Sequence, residues 1–175
     1  SVINLGNSLT TSLGVTGQYF TLNKNWSIEP RVALKWEMNP AHSLAVAYGL
    51  HSRRERLDYY FVEQVINDKK ESNRYLDFSK AHHFGLTYDW NINQSLHLKI
   101  EPYYQYLFHI PVEENSSFSI INYEEFYLDR ILINTGTAKN YGIDITLEQY
   151  MKNGFYYMIT GSLFKSKYRG GDRIW

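Results

Sequence analysis

The 175-residue chain is long enough for one domain, carries 18 basic and 18 acidic residues for a formal charge of zero, and contains no cysteine. Balanced charge gives no electrostatic case for nucleic acid, and the lack of thiols excludes disulfides and thiolate metal sites. Aromatic residues make up 17%, and 16 residues are tyrosine, an amphipathic side chain suited to lipid headgroups or to a binding surface.

No apolar run approaches the roughly 18 residues of a transmembrane helix. Mean hydropathy is −0.44, but a hydropathy scan is blind to strands that alternate and average out. The opening SVINLGNSLT has neither the basic nor the apolar region of a signal peptide. The expectation is a mature chain or a piece of a larger one.

Leu9 to Leu22 is the first predicted strand, with Leu13, Val15, Gly17 and Tyr19 on one face and Thr16, Gln18 and Phe20 on the other. Asn23-Lys24-Asn25 is turn chemistry. From Trp26 to Met38, Ile28, Pro30, Val32, Leu34 and Trp36 alternate with Glu29, Arg31, Ala33, Lys35 and Glu37. Pro30 removes a ladder donor, so a break or bulge is expected there. After a turn at Asn39-Pro40-Ala41, Ser43 to Ser52 sets Leu44, Val46, Tyr48 and Leu50 against small residues. Arg53-Arg54-Glu55-Arg56 then opens a polar stretch reaching about Lys80. Loops beyond about 12–15 residues are uncommon in compact domains. Tyr59 to Ile66 is expected to form a small strand or helical turn inside it.

Ala81 to Ile92 resumes the alternation, with His82, Phe84, Leu86, Tyr88 and Trp90 against His83, Gly85, Thr87, Asp89 and Asn91. A short turn leads into Leu96 to Val112, whose length far exceeds the usual strand of about 5–6 residues. Leu96, Leu98, Ile100, Pro102, Tyr104, Tyr106 and Phe108 fall on one face. His97, Lys99, Glu101, Tyr103, Gln105 and His109 fall on the other, with Leu107 the apolar exception. The apolar face changes from aliphatic to aromatic along its length, as in a strand that crosses an outer membrane and ends in an aromatic girdle. Residues 111–137 form a second long connection, acidic and aromatic. Ala138 to Tyr150 places Tyr141, Ile143, Ile145 and Leu147 against Gly142, Asp144, Thr146 and Glu148. Lys152-Asn153-Gly154 is a hairpin turn, and Phe155 to Tyr168 is the last strand.

From Ser43 onward the connections run long, short, long, short. Outer-membrane barrels have short periplasmic turns and longer extracellular loops. Residues 39–41, 93–94 and 152–153 are therefore expected on the periplasmic side, and 23–25, 53–80 and 111–137 outside. Seven strands is an odd count for a bacterial barrel and leaves two unpaired edges, which lipid does not tolerate. The predicted fold is all-β: an antiparallel meander of about seven long strands, part of a larger transmembrane β-barrel, with residues 1–175 a partial barrel domain. Val32, Leu34, Trp36, Leu44, Val46, Tyr48, Leu86, Tyr88, Leu98, Ile100, Tyr104, Ile143, Ile145 and Leu147 are the expected lipid-facing residues. Glu29, Arg31, Lys35, Lys99, Glu101, Tyr103, Gln105, Asp144 and Glu148 are expected to line the interior.

EPRVALKW (29–36), YGLHS (48–52), AHHFGLTYD (81–89), IEPYYQYLFHIPV (100–112), GTAKNYGIDITLEQ (136–149) and GSLFKSKYRG (161–170) occur in an order that resembles the middle-to-late barrel of TonB-dependent outer-membrane receptors, especially those of Bacteroidetes-type bacteria. The resemblance implies a fragment of a C-terminal barrel of twenty-two strands whose plug domain and remaining strands are absent. It implies energy-coupled import of a small nutrient: a ferric chelate, haem, cobalamin, a glycan or a peptide. The implied partners are outer-membrane lipid, the receptor's own plug, TonB and the nutrient, with no cofactor and no nucleic acid. The implied location is the bacterial outer membrane. RGGDRIW resembles the start of an extracellular loop.

His82-His83 is the obvious metal candidate, but adjacent strand residues point to opposite faces, and no metal site is expected. Glu37, Glu101, Asp144 and Glu148 are carboxylates that a catalytic pair would need, yet inward charges in barrels form ion-pair ladders, and no nucleophile elbow or phosphate loop is present. The expectation is a receptor and not an enzyme. Asn115-Ser116-Ser117 matches a glycosylation pattern by chance. Arg53, Arg54 and Arg56 can recognise an anion. Tyr123, Glu124 and Tyr127, on a loop, complete the candidate ligand contacts. Two other readings fit the pattern: a small outer-membrane barrel of about eight strands with a structural or adhesive role, and a soluble β-sandwich that binds a ligand.

Overall fold

The computed structural model describes residues 1–123, 125, 127–152 and 154–175. Ten strands succeed one another: β1 (Val2–Asn4), β2 (Leu9–Phe20), β3 (Asn25–Asn39), β4 (His42–Arg53), β5 (Glu63–Ile66), β6 (Lys69–Ser72), β7 (Ser79–Asn91), β8 (Leu96–Val112), β9 (Ile133–Lys152) and β10 (Phe155–Arg169). Eight of them make one antiparallel sheet in the order β1-β2-β3-β4-β7-β8-β9-β10, so each strand lies beside its neighbour in sequence within that sheet. All seven expected long strands are present. The additions are β1, too short to alternate visibly, and the separate β5–β6 hairpin inside the first long connection. That hairpin turns through Asn67 and Asp68, both at positive φ. A 3₁₀ turn at Leu57–Phe61 precedes it, so residues 59–66 supply both the helical turn and the small strand.

Two of the short turns share a device. Asn39 Oδ1 accepts from the N–H groups of Ala41 and His42 at 2.9 and 3.0 Å, and Asn93 Oδ1 accepts from Ser95 and Leu96 at 2.9 and 3.1 Å. Each asparagine closes its own turn and sets the register of the next strand. At the third, Asn153 lies outside the described residues.

The register aligns the strands' alternation into rows. One row runs Leu34, Val46, Leu86 and onward through Pro102, Ile143 and Leu163. The next, toward the short turns, runs Trp36, Leu44, Tyr88, Ile100 and Ile145. On the other side runs Val32, Tyr48, Phe84, Tyr104 and Tyr141. Successive rings of its four aromatics stand 5.0, 6.4 and 6.5 Å apart. All fourteen residues expected to face lipid share this apolar face. Those expected in the interior share the other, where Lys35 pairs with Glu37 at 3.0 Å and Lys99 with Glu101 at 2.7 Å.

The interruptions have identifiable causes. No bulge occurs at Pro30: β2–β3 pairing runs through it unbroken, contrary to the sequence expectation. Glu37 donates its N–H to Ser8 beside β2, so even positions of β3 point their donors at β4. Pro30 therefore lacks a donor only where the β3–β4 ladder has already ended, at Arg31↔Gly49. Beyond that point the buried Glu29 carboxylate takes over. Its Oε1 accepts from Ser52 N–H at 3.1 Å, from Ser52 Oγ at 2.5 Å and from Gln18 Nε2, while Arg31 Nη2 reaches Oε2 at 3.1 Å. Pro102 similarly coincides with the gap in β7–β8 pairing between Gly85↔Tyr103 and Tyr88↔Ile100, while its pairing with Ile143 on β9 survives. At His109, φ is +54° and the β8–β9 register shifts. Beyond this bulge Ile110 and Val112 still pair with Gly136 and Ile133 on β9, and both are buried.

The sheet buries neither face: Val46, Ile145 and Leu163 stay 44%, 41% and 75% exposed. The core lies instead above the loop end. Tyr59, Tyr60, Leu76, Ile110, Ile120, Leu128 and Leu132 pack together there, with Tyr60 only 1% exposed. Asn73 joins the two long connections: its Nδ2 donates to Arg130 O and its Oδ1 accepts from Leu132 N–H, both at 2.8 Å. Asn134 does the same with Asp77 and His109.

Asn73→Ala leaves the buried Leu132 N–H and the part-buried Arg130 carbonyl without their partners, at a cost of about 2 kcal/mol. Tryptic cleavage at Arg130 should quicken by roughly thirtyfold, while amide exchange of β8 and β9 near Ile100 and Ile145 is unchanged.

Candidate ligand cleft at the loop end

Where β4 leaves the sheet, Arg53, Arg54 and Arg56 meet Tyr59, Ile120 and Tyr123 around a cleft of about 530 Å³. The fold thus joins the arginine run to the aromatic loop, two features separated by some seventy residues in sequence. Their roles differ. Arg53 Nη2 lies 3.6 Å from Glu55, a buried carboxylate that also accepts from Ser79 Oγ at 2.5 Å. Arg56 grips Asp58 through Nε and Nη2 at 3.2 and 2.9 Å, with its guanidinium 5.3 Å from the Tyr59 ring centre. Arg54 is exposed and has no carboxylate partner among the described residues. It is the cation best placed to meet an incoming anion.

Tyr123 donates toward Glu125 at 3.3 Å and to Tyr127 O. Burial, then the Glu125 carboxylate, push its phenol up; burial first and the Glu55 charge also push up Tyr60. Tyr127 itself lines a neighbouring, acidic cleft of about 330 Å³ with Asp58 and Asp129. Glu124 lies outside the described residues.

Arg53 and Ile120 also line a lower cleft that reaches His51 and His83. These two rings stand 4.5 Å apart on the polar face, over Gly49, where a Cβ would come within 2.8 Å of His51 Nε2. A third depression continues from the histidines past Arg31, Tyr103 and Gln105. The result is a track of clefts from the loop end down one face of the sheet. His82 points the other way: its Nδ1 is 3.0 Å from Tyr48 Oη and its ring stacks 5.0 Å from Phe108. No group of three or more potential metal ligands converges among the described residues. A depression of about 520 Å³ on the apolar face, lined by residues such as Val46, Leu86 and Tyr104, has almost no polar lining.

The fold has solved counterparts. Two structures of the FrpB iron transporter from Neisseria meningitidis superpose on it. The F3-3 variant gives a TM-score of 0.67 at 12% identity, covering 99% of this chain and 26% of its own. The F5-1 variant, an apoprotein form, gives 0.66 at 13%, covering 97% and 25%. No family model and no curated protein matches the chain. The chain spans about a quarter of the length of these transporters. The likeness shows the fold: an open antiparallel section of the barrel type of those transporters.

An arginine missed as distinctive in the sequence, Arg54, stands out only because the fold supplies carboxylates to its two neighbours. The His51–His83 pairing was equally invisible, since only the register β4–β7 brings the two together.

Because the folded chain holds Tyr60 and Tyr123 protonated, an unfolded loop loses those protons first as pH rises. Loop stability should therefore fall above about pH 10, the unfolded tyrosine value. Tyrosinate absorbance and loop proteolysis should rise together there, and Tyr60→Phe with Tyr123→Phe should move the proteolytic transition to higher pH.

Proposed function

We propose that the chain is a wall section of a TonB-dependent outer-membrane receptor, with its loop end the entrance for an anionic nutrient. The observation that carries this reading is an apolar face of cross-strand rows, Leu34 to Leu163 among them, that the chain leaves uncovered. Burying such a face in a protein core would need a second layer. A lipid bilayer supplies one, and the row from Tyr48 to Tyr141 matches a girdle at its edge.

On this reading the polar face lines the lumen, where a plug domain packs and TonB supplies the energy for import. The cleft of Arg54 and Tyr123 is where the ligand first binds, and the track past His51 and His83 lies along its way inward. The two neighbours are named as iron transporters, and a negatively charged ferric chelate suits the arginines and tyrosines of the cleft. The role is that of a receptor and carrier, without covalent chemistry.

The sandwich reading is opposed by the uncovered face. The small-barrel reading is opposed by the edges: β1 has three residues, and no pairing between β1 and β10 occurs among the described residues. Further strands paired at both edges would complete a larger barrel.

The full-length receptor should partition with outer membranes and need detergent for extraction. Recovery as a soluble monomer would refute the reading. Arg54→Ala should weaken binding of an anionic ferric catecholate by roughly tenfold or more, the value of a charge-assisted hydrogen bond. Unchanged affinity would remove the cleft from the ligand's path.

A further inference from the structure

Of the six histidines, His42 meets Tyr88 Oη at 2.7 Å and His82 meets Tyr48 Oη at 3.0 Å, while His97 lies 3.0 Å from Asp89 and His109 3.2 Å from Asp77. His51 and His83 make no hydrogen bond or ion pair among the described residues, although both are half-buried. What each has is the other: their ring centres stand 4.5 Å apart. A neutral imidazole presents one donor and one acceptor nitrogen, so the pair holds lone pairs that no protein donor uses.

Register explains the meeting. Gly49 faces His83 across the β4–β7 ladder, and His51 is the next residue of β4 on that face. With no side chain at Gly49, His51 folds back along its own strand: a Cβ at Gly49 would lie 2.8 Å from His51 Nε2. The two rings converge over one glycine, on strands that are each paired on both sides. A metal–imidazole bond of about 2.0–2.1 Å puts each ring centre roughly 3.2 Å from the ion. Two such bonds at a right angle separate the centres by about 4.5 Å, and two at the tetrahedral angle by about 5.2 Å. The observed 4.5 Å is the right-angle value, which belongs to square-planar or tetragonal coordination, and so to Cu²⁺ or Ni²⁺ before Zn²⁺. The surroundings admit a cation. The charged side chains lining the depressions on either side are Arg31, Arg53 and Lys80, matched by Glu29 at 3.1 Å, Glu55 at 3.6 Å and Asp77 at 3.9 Å.

We propose that His51 and His83 form a two-imidazole site for a divalent transition ion of the Cu²⁺ or Ni²⁺ kind. Two ligands are fewer than a structural metal takes, so the ion is exchangeable. Its remaining positions open into the clefts of about 330 and 590 Å³ that both histidines line, where water or the donor atoms of a ligand complete the coordination. The site stands apart from Arg54 and needs no membrane, so it does not rest on the receptor reading. His82 takes no part: it points to the opposite face, as adjacency in a strand requires.

The test titrates Cu²⁺ into the full-length protein, purified without a polyhistidine tag, and counts coordinated imidazoles by pulsed EPR. The variants are H51Q, H83Q and G49A, with H82Q as the control, and circular dichroism reports the folding of each. Wild type and H82Q should show a two-imidazole site. H51Q and H83Q should lack it, with affinity for that ion lower by at least roughly tenfold, the worth even of a group that only orients a metal ligand. G49A keeps both imidazoles and should lose the site as well, because its methyl group takes the space of His51 Nε2. A wild type without a two-imidazole Cu²⁺ signal, or a wild-type signal in folded H51Q, H83Q or G49A, overturns the proposal. Should G49A fail to fold, the two histidine variants decide, since neither removes a hydrogen bond among the described residues. Detergent is used or omitted as the protein requires, so failure of the membrane reading leaves the measurement intact.

Discussion

Register governs this molecule. Antiparallel pairing with a two-residue repeat sends every side chain to one of two faces, and a slip of one residue would exchange them. From β2 to β10 the ladders hold one parity across the span between the aromatic row and the short turns. The apolar rows, the ion pairs opposite them and the track of clefts all depend on that constancy. Each is assembled from residues far apart in sequence that share only their parity. The Asn39 and Asn93 turns matter because they set it twice.

Two departures from regular pairing stand where the sheet gives way to the loops. At Pro30 and Glu29 a carboxylate replaces a ladder bond. At His109 a bulge shifts the register, and Ile110 packs into the apolar cluster of the loop end while it stays paired with Gly136. Gly136 makes that approach feasible, since a Cβ there would come within 2.8 Å of Ile110 O. The wall and the loop package are thus different kinds of structure. One relies on hydrogen-bond ladders and on whatever covers its faces, the other on its own buried tyrosines, leucines and isoleucines.

The wall was legible in the sequence because alternation over a dozen residues is a strong signal. Leu96 to Val112 could be read end to end, and the face of every predicted wall residue followed from it. The loops were not legible. Asn73, Asn134 and Glu55 act through contacts more than twenty residues away, which no local pattern announces. Pro30 misled for a related reason: a missing donor weakens a strand only if a neighbour was there to accept it, and neighbours are a tertiary fact. The place of LFKSKYR was also hidden: it alternates basic with other residues and reads like an ordinary solvated edge until its partners, Tyr141 and Lys139, are known.

The sequential order of the sheet bears on how such a wall is made. No strand of it waits for a partner from a distant part of the chain, so closure entropy is small for most hairpins and each completed pair offers the next its template. β10 is the last strand in that order and is paired on one side only among the described residues. With Tyr157, Ile159 and Leu163 beside open backbone donors and acceptors, it would join whichever strand arrived first. An uncovered margin of this kind pairs with a foreign chain as readily as with a neighbour of its own, so what covers it decides whether the folded sheet stays unaggregated.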